Sequence, residues 1–295
     1  MANSKCGYVA IIGRPNVGKS TLLNEIIGQK ISITSHKQQT TRHVIHGIKT
    51  YDSVQIVYVD TPGIHTESKR ALNQYMNRAA RSATGEVDVI LFIISIEHWT
   101  HNDELVLKQL QHANCPVILV VNKIDTVPNK GELLIKLDEL SKKMKFAEIV
   151  PISATKKTNV TTLEKVIEKY LPEGPHFFQA EQITDQNDGF LIAEIIREKL
   201  FKWVHQEVPY STTVMVEEIK HEDKLMRIYA TIYVEKSGQK AIIIGKQGSK
   251  LKQIGREARL ELEKMYGNKI FLQLWVKIKT EWSENERTLK QFGFD

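Results

Sequence analysis

Residues 13–20 read Gly-Arg-Pro-Asn-Val-Gly-Lys-Ser, a GxxxxGKS octet between the apolar run Val9-Ala10-Ile11-Ile12 and a stretch of helical pattern at 21–27. The chemistry of such a set is phosphate binding. The glycines let successive backbone N–H groups turn toward phosphate oxygens, Lys19 adds a point charge, and Ser20 offers a hydroxyl to Mg²⁺. The helix that follows presents its positive end. Gly13, Arg14, Pro15, Asn16, Val17, Gly18, Lys19, Ser20 and Thr21 are therefore candidate nucleotide-binding residues.

The base is read further along the chain. Asn122-Lys123-Ile124-Asp125 closes the apolar run 117–121, which places it at the carboxyl end of a buried parallel strand, where open α/β sheets bind ligands. Guanine presents two adjacent donors, and the carboxylate of Asp125 can accept both, whereas adenine has no such pair. Asn122 can tie this loop to the phosphate loop, and the aliphatic stem of Lys123 can cover the base. Ser153-Ala154-Thr155 follows the short apolar stretch 148–152 and would aim the N–H of Ala154 at the guanine carbonyl. GTP and GDP are the expected ligands.

Between these two motifs, the strand pattern at 54–59 ends in Asp60-Thr61-Pro62-Gly63. Asp60 can hold Mg²⁺ through water while the Gly63 N–H meets the γ-phosphate. The polar stretch 29–42 contains Thr40 and Thr41, either of which can complete the metal shell; Thr41 is the candidate, with Thr40 its alternative. The expected metal ligands are thus Ser20, Thr41 and Asp60, and the two segments would order and disorder as the third phosphate comes and goes. Ile64 stands where many small GTPases carry a water-orienting glutamine, so slow intrinsic hydrolysis is expected. Asn16 offers a side-chain carbonyl that can help hold K⁺ near the phosphates, in place of an arginine finger. Lys19, Thr41, Gly63 and Asn16 form the expected catalytic set.

The elements that must position these residues alternate strand and helix from 6 to 171, with amphipathic stretches at 69–83, 103–111, 131–145 and 160–170. That alternation predicts an α/β, doubly wound, mostly parallel sheet over residues 1–172. Pro172-Glu173-Gly174-Pro175 stops the last helix, and a linker is expected at 173–187. Residues 188–295 change texture, to an α+β order of helix, strand, strand, helix, Gly245-Lys246-Gln247-Gly248, helix, strand. A GxxG between two helices on a small sheet is how a type II KH module clamps single-stranded nucleic acid by its backbone. The +6 formal net charge resides in residues 1–172, the rest being balanced. Locally, however, Lys236, Lys240, Lys246, Lys250, Lys252, Arg256 and Arg259 face only Glu257 around the tetrad, a positive groove. Gly245, Lys246, Gln247, Gly248, Lys250, Lys252 and Arg256 are the candidate RNA-binding residues. Trp275 and Trp282 are candidates for base stacking, with Trp275, inside a strand, better suited to the core.

At 295 residues and 41% hydrophobic content, the chain can bury two cores. Cys6 and Cys115 read as buried thiols with neither disulfide framework nor metal spacing. The first strand begins within a few residues, leaving no room for a signal peptide, and the longest apolar run, 87–96, is broken by Asp88 and too short to span a bilayer. A cytoplasmic monomer is expected, with peripheral contact at the inner face of the cell membrane left open.

The combination resembles the Era family of bacterial GTPases, within the Era/TrmE-like group, which carry a C-terminal type II KH domain. The resemblance covers essentially the whole chain. It rests on the octet, Gln39-Thr40-Thr41-Arg42, Asp60 to Gly63, Asn122 to Asp125, Ile195-Ile196-Arg197-Glu198-Lys199-Leu200, Glu207-Val208-Pro209-Tyr210-Ser211 and Ile244 to Gly248. It implies binding to the 3′ end of 16S ribosomal RNA during assembly of the 30S subunit, in a cycle set by GTP. Gln186 stands where some members have a basic residue, which puts any phosphate contact there in doubt. The alternative from another class is a GTP-dependent signalling switch whose second domain docks a protein or the membrane surface.

Overall fold

The computed structural model describes residues 4–35, 37, 40–62, 71–82, 87–205 and 207–294. These divide into two compact units, the first drawn from 1–32, 41–66 and 76–185, the second from 33–40, 67–75 and 186–295.

The first unit is built on a six-stranded sheet. Its strands are β1 (Lys5–Ile12), β2 (Ile45–Tyr51), β3 (Val54–Asp60), β4 (Val89–Ser95), β5 (Val117–Asn122) and β6 (Glu148–Pro151), in the order β2-β3-β1-β4-β5-β6. All neighbours pair in parallel except β2 with β3. The apolar runs of β3, β4 and β5 are buried along their whole length, as expected of strands covered on both faces. Helices α1 (Lys19–Ile27), α2 (Ala71–Ser82), α3 (His101–Leu110), α4 (Lys130–Ser141) and α5 (Val160–Glu168) connect them. Pairing of Ile11 with Asp60 and of Ser95 with Asn122 brings the carboxyl ends of four central strands to one edge, and the phosphate loop opens there.

Strand β2 is not evident in the sequence, because His46, Gly47, Lys49 and Thr50 interrupt any apolar alternation. Its place at the edge makes that composition tolerable. The stretch 173–185 lies along this edge within the same unit. Gln55, fully buried on β3, accepts from the N–H groups of Phe177 and Phe178 (2.8 and 2.9 Å) and donates to the Phe178 carbonyl (2.9 Å). The Ile48 N–H donates to the Ile183 carbonyl at 2.8 Å, and His46 Nδ1 lies 2.6 Å from Asp185 Oδ2.

The second unit contains α6 (Asp188–Trp203), β7 (Thr212–Glu222), β8 (Leu225–Val234), α7 (Ser237–Ile244), α8 (Ser249–Tyr266), β9 (Lys269–Ile278) and α9 (Glu286–Gln291). Its sheet runs β7-β8-β9, antiparallel then parallel. Met226, Ile228, Ala230, Ile232 and Val234, at strand period two on β8, meet Ile254, Ala258 and Leu262, at helical spacing on α8, in one core with Ile192, Ile196 and Leu200 of α6.

The two tryptophans reverse their expected places. Trp282 is fully buried and donates its indole N–H to the Ser211 carbonyl at 3.1 Å. Trp275 is 38% exposed and stacks on Tyr229 with ring centroids 6.1 Å apart. Strand alternation explains it: Val276 takes the core face of β9, so Trp275 must take the other. Cys6 is buried as expected, whereas Cys115 is only half-buried; burial raises both thiols above their ordinary range. Among the described residues no group of His, Cys, Asp and Glu forms a metal cluster, and no helix is long and apolar enough to cross a membrane.

Candidate nucleotide site and nucleic-acid interface

The phosphate loop is shaped by close approach. A Cβ on Gly13 would stand 2.2 Å from the Ile93 carbonyl oxygen, and one on Gly18, at φ +104°, would stand 2.3 Å from Asn122 Nδ2, so both positions admit only glycine. Asn16 also sits in the left-handed region, at φ +67°. Lys19 opens α1 and is buried, with Nζ donating to the carbonyls of Gly13 (2.9 Å) and Arg14 (3.1 Å). Burial pulls its ammonium down from the ordinary lysine value to about 8, against the opposing pull of Asp60. The Arg14 side chain turns away from the loop, its Nε 3.0 Å from Asp103 Oδ2. Asp103 also caps α3 by accepting from the Thr100 N–H at 2.9 Å.

Three oxygens converge at the head of α1. Ser20 Oγ lies 3.1 Å from Thr41 Oγ1 and donates to Asp60 Oδ2 at 3.0 Å. Asp60 is fully buried, and its Oδ1 has no hydrogen-bond partner among the described residues. Desolvation raises its carboxyl above the usual range, while Lys19, Ser20, Ser32 and Thr41 pull the other way. A buried carboxylate with one unmet oxygen beside two hydroxyls fits a hard, oxygen-seeking divalent cation. Thr41, rather than Thr40, reaches this cluster; Thr40 Oγ1 donates instead to the Lys37 carbonyl at 2.6 Å. Thr61, placed by sequence beside the phosphates, donates its hydroxyl to the Ile11 carbonyl at 3.3 Å. Pro62 closes the described part of that segment, and Gly63 and Ile64 lie outside the described residues.

The sequence does not single out Ser32, yet its Oγ donates to Asp60 Oδ2 at 3.0 Å. Asn24, on α1, holds it there by accepting from the N–H groups of Ile31 and Ser32 (both 3.0 Å) and donating to the Ser32 carbonyl (2.6 Å). Short polar residues in a loop carry no periodic signal.

Asn122 joins three loops. Its Nδ2 donates to the Val17 carbonyl (2.8 Å), and its Oδ1 accepts from the N–H groups of Lys123 (2.8 Å) and Ala154 (3.0 Å). The Ala154 N–H, expected to point at a guanine oxygen, is thus aimed at Asn122. Ser153 donates to Asp125 Oδ1 at 2.5 Å, orienting that carboxylate. Lys123 has a left-handed backbone at φ +65° and its Nζ lies 3.2 Å from Glu97. Thr155 is exposed.

In the second unit the tetrad forms a tight turn between α7 and α8. Gly245 (φ +72°) and Gly248 (φ +77°) are glycines for different reasons. A Cβ on Gly245 would meet Lys250 Cβ at 2.8 Å, whereas one on Gly248 would enter open space. Lys246, Gln247, Lys252 and Arg256 are exposed and Lys250 half-buried. Lys252 and Arg256, four residues apart, share a face of α8 distinct from that of Ile254, Ala258 and Leu262. The surface suits a phosphate chain running past the turn.

A phosphate loop, a buried carboxylate beside two hydroxyls, and an Asn-Lys-x-Asp turn on one sheet edge define the first unit as a P-loop GTPase; the GxxG turn on a three-stranded sheet makes the second a KH domain. Family profiles agree, that described as 50S ribosome-binding GTPase matching residues 8–123 and that of the KH domain residues 207–283. Among curated proteins, GTPase Era of Marinobacter nauticus is 52% identical over 98% of this chain and 95% of its own length. GTPase Era of Coxiella burnetii is 51% identical over the whole of both chains. A variant of Aquifex aeolicus Era bound to GDP and aluminium fluoride superposes with TM-score 0.93 at 43% identity, over 98% of this chain and 99% of the other. An Era complex with MgGDPNP and nucleotides 1506–1542 of 16S ribosomal RNA has the same TM-score and identity over 99% of each. The chain belongs to the Era family of GTPases. It binds guanine nucleotides and hydrolyses GTP.

Proposed function

We propose that this protein is a nucleotide-controlled ribosome assembly factor that binds the 3′ end of 16S ribosomal RNA with its KH domain and acts on the 30S subunit. The observation that carries the reading is the GxxG turn, with Gly248 facing open space between the exposed cations Lys246, Lys252 and Arg256. Gly245, Gln247 and Lys250 complete the RNA surface. The RNA held by the Era complex supports the choice of target. The domains are a GTP-binding domain at 1–172, a connector at 173–187 and a KH domain at 188–295.

In the nucleotide site, residues 13–21 and Asp60 to Gly63 take the phosphates, while Asp125, oriented by Ser153, takes guanine, Lys123 covers the base, and Asn122 holds the turn of Ala154 and Thr155 beside it. Ser20, Thr41 and Asp60 hold Mg²⁺, whose charge screens the β- and γ-phosphates. Lys19 neutralises the same charge, and Gly63 offers its N–H to the γ-phosphate. Asn16 would lend its amide oxygen to K⁺, which would supply near the phosphates the positive charge an arginine finger gives in other GTPases. The protein works as a cytoplasmic monomer.

The test of the RNA surface is Gly248→Asp, which adds a negative side chain where a phosphate must pass. RNA affinity falls at least about tenfold, as expected for losing a phosphate contact and adding repulsion, and GTP hydrolysis without RNA stays unchanged. Unaltered RNA affinity would rule out the KH turn as the binding surface.

A further inference from the structure

The residue that follows Thr40 is the candidate metal ligand Thr41, and Thr40 itself is held by the second unit, to which residues 33–40 and α6 both belong. Lys37 Nζ donates to the carbonyls of Phe201 and Val204, the latter at 2.6 Å. These lie in the last turn and at the C-cap of α6, the negative end of the helix. Thr40 Oγ1 closes back on the Lys37 carbonyl at 2.6 Å. Arg197, on α6, donates Nη2 to the Thr40 carbonyl.

Arg197 is built for fixed aim. Its side chain is 3% exposed, and Glu194 grips the fork at 2.7 Å (Nε to Oε1) and 2.6 Å (Nη2 to Oε2). Its guanidinium lies over the Phe201 ring at 5.3 Å. The carbonyl it holds belongs to the Thr40–Thr41 peptide, which is planar, so holding that oxygen restricts the Thr41 N–H and Cα and leaves only rotation about the Thr41 N–Cα and Cα–Cβ bonds to aim its hydroxyl. That side chain ends 3.1 Å from Ser20 Oγ.

We propose that Arg197, in the KH-domain helix α6, is a positioning residue for Thr41 and through it sets the preference of the nucleotide site for GTP over GDP. The proposal rests on the reading of Thr41 as a metal ligand that engages when the γ-phosphate is present. It goes beyond that reading by assigning part of GTP recognition to a residue far along the chain from every nucleotide motif.

The experiment measures affinity for fluorescent GDP and for a non-hydrolysable GTP analogue, both with Mg²⁺, in the full chain. Three variants are compared with the parent, with circular dichroism and urea unfolding alongside. Arg197→Lys keeps a cation for Glu194 but loses the fork. The double variant Arg197→Met with Glu194→Met removes both members of the buried ion pair together. Thr41→Ala is the reference. The expected result is GDP affinity within about twofold of the parent in all three, with analogue affinity about tenfold lower, as for losing one charge-assisted hydrogen bond. If Thr41→Ala lowers the analogue-to-GDP ratio and neither Arg197 variant does, the positioning role is wrong. Loss of both nucleotides by one factor would reduce Arg197 to a structural residue and overturn it equally. An unchanged ratio in Thr41→Ala would instead remove the metal-ligand reading beneath it.

Discussion

Replacing Asn122 by alanine separates three loops at once. The side chain is 3% exposed and makes three hydrogen bonds, to the Val17 carbonyl and from the Lys123 and Ala154 N–H groups. Alanine leaves the Val17 carbonyl and the Ala154 N–H buried and unmet, at about 1–3 kcal/mol each, so the total cost is about 2–6 kcal/mol. Water entering the vacated space recovers part of this, mostly at Lys123, which is less buried. If about 3 kcal/mol falls on holding the phosphate loop against the base-reading turn, GDP affinity drops by about 100-fold, at 1.4 kcal/mol per factor of ten. Asn122→Asp dissects the effect. It keeps an acceptor for Lys123 and Ala154 but sets a carboxylate oxygen against the Val17 carbonyl, and should weaken GDP binding nearly as much. The assay is titration of fluorescent GDP, with urea unfolding to measure the share lost as stability. An Asn122→Ala protein that binds GDP within threefold of the parent would refute the claim that this side chain organises the site.

Two further outcomes follow from the same site. With its pKa drawn down to about 8, Lys19 is about half protonated at pH 8 in the protein without nucleotide; phosphates restore its charge, so binding takes up about half a proton there and more at pH 9. Calorimetry of GDP binding in buffers of different ionisation enthalpy reads this directly, and buffer-independent heats at both pH values would contradict the assigned burial of Lys19. Hydrolysis in K⁺ should exceed that in matched Na⁺, and Asn16→Ala should remove the difference; equal turnover in the two salts would eliminate the K⁺ site.

The nucleotide motifs were legible because backbone geometry permits few residue types at each position. Gly13 and Gly18 have no room for a Cβ, and Asn122 needs both an amide donor and an amide acceptor. The alternation of apolar runs with amphipathic stretches carried the parallel sheet for the same reason: strands buried on both faces must be apolar throughout. What escaped was set by tertiary contact alone. Strand β2 has an edge composition, and Ser32 and Asn24 are ordinary loop and helix residues until Asp60 is beside them. Trp275 and Trp282 were exchanged because a tryptophan inside a strand has two faces available, and only the inward course of Val276 decides between them. The tetrad at 245–248 was readable as a turn, but the distinct demands at Gly245, crowded by Lys250, and at Gly248, open to the surroundings, emerge only from the folded loop.

The central claim is that nucleotide state governs recognition of the small-subunit RNA end. Its most direct test is binding of the purified protein to a short single-stranded RNA copying that 3′ end and to a scrambled sequence, each with GDP or a non-hydrolysable GTP analogue. The predicted result is sequence-selective binding that tightens with the GTP analogue and is lost in Gly248→Asp. Weak, salt-sensitive binding that ignores both sequence and nucleotide would contradict it, leaving a GTPase whose KH domain serves another partner.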